Sequence, residues 1–187
     1  MIPDVTIFGR DDCKKARVYQ RALEERGVPY HFAAINQDPE AAAALAALYV
    51  DGALKAPTLL IKGRRLRNPT IHDLEKVLAR ADLFDPGLVH EEKSQRFVRY
   101  MAPSDAFVSY RWRDGKMILG HIEVDPSLRG AGLGTRLATE VFNCLQESPH
   151  EIRLTCSFLR RVAMTHPAWR AKFQVHVNSI NTIAGGT

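Results

Sequence analysis

A short glycine-rich segment between an apolar strand and a helix limits the folds open to this chain most strongly. The segment consists of Arg129, Gly130, Ala131, Gly132, Leu133, Gly134 and Thr135. It follows the apolar residues 117–124 and opens a stretch, 133–146, with apolar residues at helical spacing. Glycines let backbone N–H groups approach a phosphate, and a helix start adds partial positive charge. The segment therefore predicts either a phosphate cradle or a glycine turn that only packs a strand against a helix.

The glycine spacing excludes two common phosphate-binding motifs. Gly130, Gly132 and Gly134 follow the order Gly-x-Gly-x-Gly, which differs from the Gly-x-Gly-x-x-Gly of dinucleotide-binding folds. No Gly-Lys-Ser/Thr follows, so the segment is not a P-loop. A phosphate cradle at this position would therefore belong to a fold other than the dinucleotide-binding and P-loop folds.

Composition is typical of a soluble globular protein. The chain has 187 residues, of which 45% are apolar and 25% charged, with a net charge of +5. Its longest apolar stretch, residues 41–50, covers ten residues, about half of the roughly 20 that cross a bilayer, so we expect no membrane segment. Asp4 stands where an export signal carries basic residues, so we expect a cytoplasmic protein. Basic and acidic residues are interspersed along the chain, which gives no specific signal for nucleic-acid binding.

Two different patterns of helices and strands follow each other along the chain. Up to residue 82 the predicted order is βαβαββα, with Asp38 and Thr70 as helix caps. Residues 82–87 contain two aspartates, a proline and a glycine, which is typical of a boundary. Antiparallel strands at 96–101, 107–112 and 116–124, a helix, a strand at 151–155 and a last helix follow. We predict an α/β (α+β) protein with domains at 1–82 and 88–175 and a frayed tail at 176–187.

The first cysteine occupies a position that can activate a thiol. Cys13 lies at a predicted helix start, where unpaired backbone N–H groups and the cations Lys14, Lys15 and Arg17 favour a thiolate. Residues 11–12 are both aspartates and oppose this effect. The alternative is a small apolar residue that closes the helix against the sheet. The sequence contains no CxxC or HxxxH pair, so it gives no indication of a zinc site.

The first domain resembles glutaredoxin. The resemblance rests on the element order, on residues 5–8 before the cysteine loop, on 56–58 at a strand start and on 67–70 before the last helix. It implies a thioredoxin-like fold, a cis peptide bond before Pro57, and glutathione bound through the backbone near Ala56 and Pro57. Glutaredoxins exchange disulfides with one or two cysteines.

The cysteine loop departs from the glutaredoxin pattern. No CxxC is present, and Cys13 aligns with either family cysteine, depending on whether the strand or the helix is matched. With Arg17 four residues later, it also resembles the arsenate-reductase branch of the thioredoxin-like fold. Dithiol chemistry within the domain is therefore excluded, whereas a monothiol oxidoreductase acting through Cys13 and a degenerate docking module both stay open.

The second domain resembles the short branch of the GNAT acetyltransferases. Arg129, Gly132 and Gly134 match the family's Arg/Gln-x-x-Gly-x-Gly/Ala signature. Further similarity lies at residues 90–97, 121–126, 155–158 and 166–169. The resemblance implies acetyl-CoA, with its pyrophosphate on residues 129–135 and its pantetheine beside the strand that ends at Val124. The implied acceptor is an amine of a small molecule or a protein.

Three side chains are candidates for the acetyl-transfer chemistry. His121 and Glu123 share one strand face by alternation, and either can act as general base, or both form a simple polar pair. Cys156 follows a strand and is either a transient acetyl carrier or an inert thiol. We favour direct transfer, with Cys156 lining the acetyl pocket. Cys144 lies at core spacing on its helix, so we expect it to be packed inside.

Two functions from different classes follow. One is an N-acetyltransferase that carries a glutaredoxin-like domain with a single cysteine. The other is an interaction protein that binds CoA without turnover and docks through a degenerate first domain.

Overall fold

The computed structural model describes residues 3–173 and residue 175, which form two compact units. The first unit ends at Pro86 and the second begins at Gly87, with Tyr100–Pro103 grouped with the first. The tail predicted at 176–187 lies outside the described residues. Among the described helices, none is both long and apolar enough to cross a membrane.

The first unit is a four-stranded mixed sheet with helices. Its elements are β1 (Val5–Gly9), α1 (Lys14–Glu25), β2 (His31–Ala34), α2 (Pro39–Ala47), β3 (Thr58–Ile61), β4 (Arg64–Arg67) and α3 (Ile71–Arg80). The sheet order is β2-β1-β3-β4, in which β1 and β2 run parallel and the other two pairs antiparallel. The βαβαββα order and the mixed α/β class are confirmed. Strand β2 and helix α2 are shorter than the segments 28–35 and 38–50 that the sequence pattern predicts for them.

Helix starts in the first unit are fixed by the predicted caps. The Asp38 side chain accepts a hydrogen bond from the Glu40 N–H at 2.8 Å. Thr70 Oγ1 accepts from the Asp73 N–H at 3.1 Å and donates to the Asp73 carboxylate at 2.7 Å. Each bond satisfies a backbone or side-chain group that the first helical turn leaves without a partner.

The core of the first unit lies on both faces of its sheet. Alternate residues of β1 point to opposite sides, so Val5 and Ile7 join one cluster and Phe8 another. The larger cluster is formed with α1, β3 and α3, and its fully buried members include Tyr19, Leu23, Leu59, Ile61, Leu74 and Leu78. The smaller cluster brings α2 against the sheet through Ala41 and Leu45. This packing places the loop that carries Cys13 at the end of the buried strand β1.

The second unit is a five-stranded sheet in the order β5-β6-β7-β8-β9. Its elements are β5 (Val89–Glu91), β6 (Arg96–Arg99), β7 (Ala106–Arg113), β8 (Lys116–Glu123), α4 (Leu133–Gln146), β9 (Ile152–Leu154), α5 (Ser157–Ala163) and α6 (Pro167–Lys172). Strand pairs are antiparallel except β8 and β9, which run parallel. Neither β5 nor α6 follows from the sequence pattern. Pro167 occupies the first turn of α6, where a missing N–H costs nothing.

The packed face of α4 differs from the expected one at its cysteine. The buried residues are Leu137, Ala138, Val141, Phe142 and Leu145. The stripe therefore leans toward positions 138 and 142, which leaves Cys144 on the outer side. Cys144 is exposed, so its predicted packing role is wrong.

Removing the cap of α3 tests the local stability of the first unit. We expect Thr70→Ala to lower the free energy of unfolding by about 1 kcal/mol, because the Asp73 N–H loses its acceptor. Thr70→Ser keeps the hydroxyl and serves as the matched control. Chemical denaturation with hydrogen exchange at the first turn of α3 measures the effect, and equal losses in the two variants would contradict it.

Candidate functional site

Two neighbouring strands of the second unit separate where the predicted cradle begins. Parallel pairing of β8 with β9 ends at Leu119 and Leu154, and the Thr155 N–H makes the last bond, to the Leu119 carbonyl at 3.0 Å. On the other side, β8 changes register with β7, so Gly120 has no opposite residue. This is a β-bulge, which bends a strand and increases its twist. Beyond Gly120, β8 continues along β7 alone.

A cavity of about 510 Å³ lies at this separation. The end of β8, the glycine-rich turn, the start of α4 and one side chain of α5 surround it. Its lining residues are His121, Ile122, Glu123, Val124, Leu128, Arg129, Gly130, Gly132, Leu133, Gly134, Thr135 and Phe158. Every residue predicted to hold the coenzyme lines this cavity except Ala131.

The glycine-rich turn presents backbone N–H groups to the cavity. The first intrahelical bond runs from the Arg136 N–H to the Gly132 carbonyl at 3.0 Å. The N–H groups of Leu133, Gly134 and Thr135 therefore have no acceptor within α4. Gly132 has a φ of +75°, a left-handed conformation that glycine adopts without strain. Helix-start N–H groups and an arginine are the donors that anion sites in proteins use, so the turn has the chemistry that an anion site needs.

A small hydrogen-bonded network fixes the start of the turn. The Asp125 carboxylate accepts bonds from the Ser127 N–H at 2.9 Å, the Ser127 hydroxyl at 2.6 Å and the Ser104 hydroxyl at 2.9 Å. These bonds, led by that of the Ser127 hydroxyl, lower the pKa of Asp125 below its ordinary value. The carboxylate is thereby kept charged, and it holds the residues that precede Arg129.

Two polar side chains meet at the end of β8. His121 Nε2 lies 2.8 Å from Glu123 Oε2, and the two side chains are 58% and 45% exposed. Both line the cavity, as strand alternation predicts for residues on one face. In the tautomer in which His121 Nε2–H donates a hydrogen bond to Glu123, Nδ1 keeps a lone pair that can accept a proton.

Cys156 is placed differently from these two residues. It is half-buried at the N-cap of α5, with extended backbone at φ −70° and ψ 125°. It is not among the described residues that line the cavity, whereas Phe158 is. Phe158 lies against the cradle, because a Cβ added at Gly134 would come within 3.3 Å of its ring. The sequence pattern does not predict that Phe158 lines the cavity or that β8 has a bulge at Gly120. A glycine inside an apolar strand is a signal that points to such a bulge.

The candidate thiol of the first unit lies at the N-cap of α1. Cys13 is half-buried, and its carbonyl accepts a bond from the Arg17 N–H at 3.2 Å. The charges beside it are partly engaged with each other. Arg10 pairs with Asp12 at 3.0 Å, which raises the pKa of Arg10 and lowers that of Asp12. The Arg17 side chain donates to the Asp11 carbonyl at 3.3 Å.

The residues implied for glutathione lie in the loop before β3. The Ala56–Pro57 peptide bond is cis, as the glutaredoxin resemblance implies. The Pro57 carbonyl accepts a bond from the Asn68 N–H at 3.3 Å, and the Ala56 N–H donates to the Leu54 carbonyl at 3.1 Å. Two of the backbone groups in this loop are therefore already engaged.

Comparison with known proteins finds a family model that matches part of each unit, a glutaredoxin model in the first unit and a GNAT-like acetyltransferase model in the second. Residues 5–66 match the glutaredoxin family, and residues 96–172 match the GCN5-related N-acetyl-transferase family. Among curated proteins, none matches the chain.

Two solved structures are similar to part of the chain. One is a crystal structure of a mutant thioredoxin-like protein, with 23% identity and a TM-score of 0.36 over 40% of this chain and 94% of that chain. The other is a glutaredoxin from Archaeoglobus fulgidus, with 14% identity and a TM-score of 0.36 over 41% and 86% of the two chains.

Proposed function

We propose that the second domain binds acetyl-CoA in the cavity at the end of β8 and transfers the acetyl group to an amine. One observation carries this proposal. The residues at the start of α4, Arg129 and the His121–Glu123 pair line the same space of about 510 Å³. Acetyl transfer from a phosphate-bearing thioester to an amine needs a site for the phosphates and an acceptor for the proton of the amine. This cavity offers both.

In this proposal, some residues of the cavity bind the coenzyme and others transfer the proton. The N–H groups of Leu133, Gly134 and Thr135, with Arg129, hold the pyrophosphate. Acetyl-CoA supplies the thioester: the amine nitrogen bonds to the acetyl carbon, the carbon–sulfur bond breaks, and CoA leaves as thiolate. His121 accepts the proton lost by the amine, and Glu123 orients the imidazole. The acceptor is therefore an amine that reaches the exposed end of β8.

The first prediction of this proposal concerns CoA binding. We expect Gly132→Asp to weaken CoA binding at least tenfold, because it adds a negative charge beside the phosphates. Gly115→Asp is the matched control, since Gly115 also has positive φ, +73°, and open space around its Cα, but lies in the β7–β8 turn. Arg129→Ala should cost about 1.5–3 kcal/mol of binding energy, with Arg113→Ala as control. Titration calorimetry with CoA measures both effects, and unchanged affinity in Gly132→Asp would remove the basis of the proposal.

The second prediction separates direct transfer from an acetyl-cysteine route. We expect Cys156→Ala to retain the rate of CoA release within a few-fold, because Cys156 does not line the cavity. His121→Ala should reduce the rate by about 10²-fold or more, since it removes the proton acceptor. The assay follows CoA thiol release with a lysine peptide, a peptide with a free α-amine and a diamine as acceptors.

Two outcomes of this assay would change the proposal. An acetyl-Cys156 species that forms and decays at the turnover rate would overturn direct transfer. Tight CoA binding without release for any acceptor would favour the alternative function, a CoA-binding interaction protein.

A second candidate function belongs to the first domain. We propose that Cys13 acts as a monothiol in exchange with glutathione disulfide, with the loop around Ala56 and Pro57 holding the glutathione. The Cys13 thiolate attacks one sulfur of the disulfide, a protein–glutathione bond forms, and glutathione thiolate leaves. The position of Cys13 at the start of α1 and the match of residues 5–66 to the glutaredoxin family support this proposal.

The exposure of the three cysteines makes this exchange testable. Accessibility alone favours Cys144, which is exposed, over the half-buried Cys13 and Cys156. We expect glutathione disulfide to modify Cys13 before Cys144, because the start of α1 activates it. Peptide mass spectrometry over time measures the order. Faster modification of Cys144 would favour the degenerate docking module.

A further inference from the structure

The strand β4 ends the sheet of the first domain with unpaired backbone groups. The two-residue turn Lys62–Gly63 makes Ile61 and Arg64 a hydrogen-bonded pair, and pairing alternates from there. The N–H and C=O groups of Arg65 and Arg67 therefore point away from β3. Across the residues that the structure describes, these outward groups have no hydrogen-bond partner. The edge is open to a further strand.

The same edge concentrates positive charge. Arg64, Arg65 and Arg67 are exposed, and with Lys76 and Arg80 of α3 they line a groove of about 350 Å³. Arg64 and Arg67 make no ion pair with any described residue. Among the described residues that line the groove, Asp73 alone carries a carboxylate, and the hydrogen bond that it accepts from the Thr70 hydroxyl lowers its pKa.

The arginines of β4 lie on both faces of the strand. Leu66 packs against the core that includes α3, so Arg64, two residues away, lies on the α3 side. Arg65 lies on the opposite side, where its guanidinium stacks on the Tyr49 ring at 4.3 Å and donates to the Leu48 carbonyl. A strand added at this edge meets cations above and below it.

We propose that the β4 edge docks an extended acidic segment of another protein, which adds to the sheet as a fifth strand. Arginines on an edge strand repel a second copy of the same edge, so the occupant has the opposite charge. Carboxylates of the added strand pair with the arginines of β4. A nucleic acid satisfies the charges but leaves the outward N–H and C=O groups of Arg65 and Arg67 unpaired, which favours a peptide.

A defined peptide tests this proposal on the full chain. The probe is a fluorescent ten-residue peptide of alternating Glu and Val, measured by polarisation at low salt. Arg64→Glu with Arg67→Glu should weaken binding at least tenfold, and Arg64→Gln with Arg67→Gln by a smaller factor. The matched control, Arg111→Glu with Arg113→Glu, makes the same charge change on β7 of the second domain and should leave binding unchanged. Circular dichroism verifies that each variant is folded.

Two further measurements decide whether the peptide pairs as a strand. Bound peptide should slow hydrogen exchange at the Arg65 and Arg67 amides, and a fully N-methylated analogue of equal charge should bind at least tenfold more weakly. Equal binding of that analogue, or no effect of the Arg64 and Arg67 reversal, would overturn the proposal. Tighter, equally reversal-sensitive binding of a ten-nucleotide oligothymidylate would replace the acidic peptide with a nucleic acid.

Discussion

The separation of β8 from β9 beyond Leu119 is the constraint on which the candidate coenzyme site depends. Pairing on both sides would bury the end of β8 and leave no room for a ligand. The bulge at Gly120 changes the register with β7 while the parallel ladder with β9 stops. His121 and Glu123 thus lie on a strand end that is paired on one side only, beside a helix start with unpaired N–H groups. The groups that we propose for binding and for proton transfer meet because one strand pair ends early.

Each domain presents a helix start, but the two starts differ in what surrounds them. At α4, glycines with positive φ at 130 and 132 keep side chains away from the N–H groups. At α1, the loop carries its own acids and bases: Asp11 receives the Asn36 and Gln37 amides, and Arg10 pairs with Asp12. The first arrangement suits an external anion. In the second, Cys13 is the group at the helix start, which is why we propose thiol chemistry there.

Local signals carried the sequence predictions that the structure confirms. The caps at Asp38 and Thr70 and the strand–turn–helix unit at α4 all depend on neighbouring residues. Predictions that depend on long-range packing were less complete. The short strand β5 exists because it pairs with β6, and Cys144 is exposed because α4 packs along a shifted stripe. The cavity lining beyond the motif follows the same rule, since Phe158 reaches the cradle from a different element.

At the β4 edge, folding brings together basic residues that are separated along the sequence. Three arginines in β4 form no long basic run, and the net charge of +5 is moderate. Acids elsewhere in the first domain are engaged locally, as Glu75 is with Arg26 and Asp51 with Lys55. The hairpin then carries Arg64 and Arg67 to the sheet margin, and α3 adds Lys76 and Arg80 to the same groove. Charges on an edge strand oppose self-pairing; because Arg64 and Arg67 make no ion pair with any described residue, the same charges also favour an acidic partner.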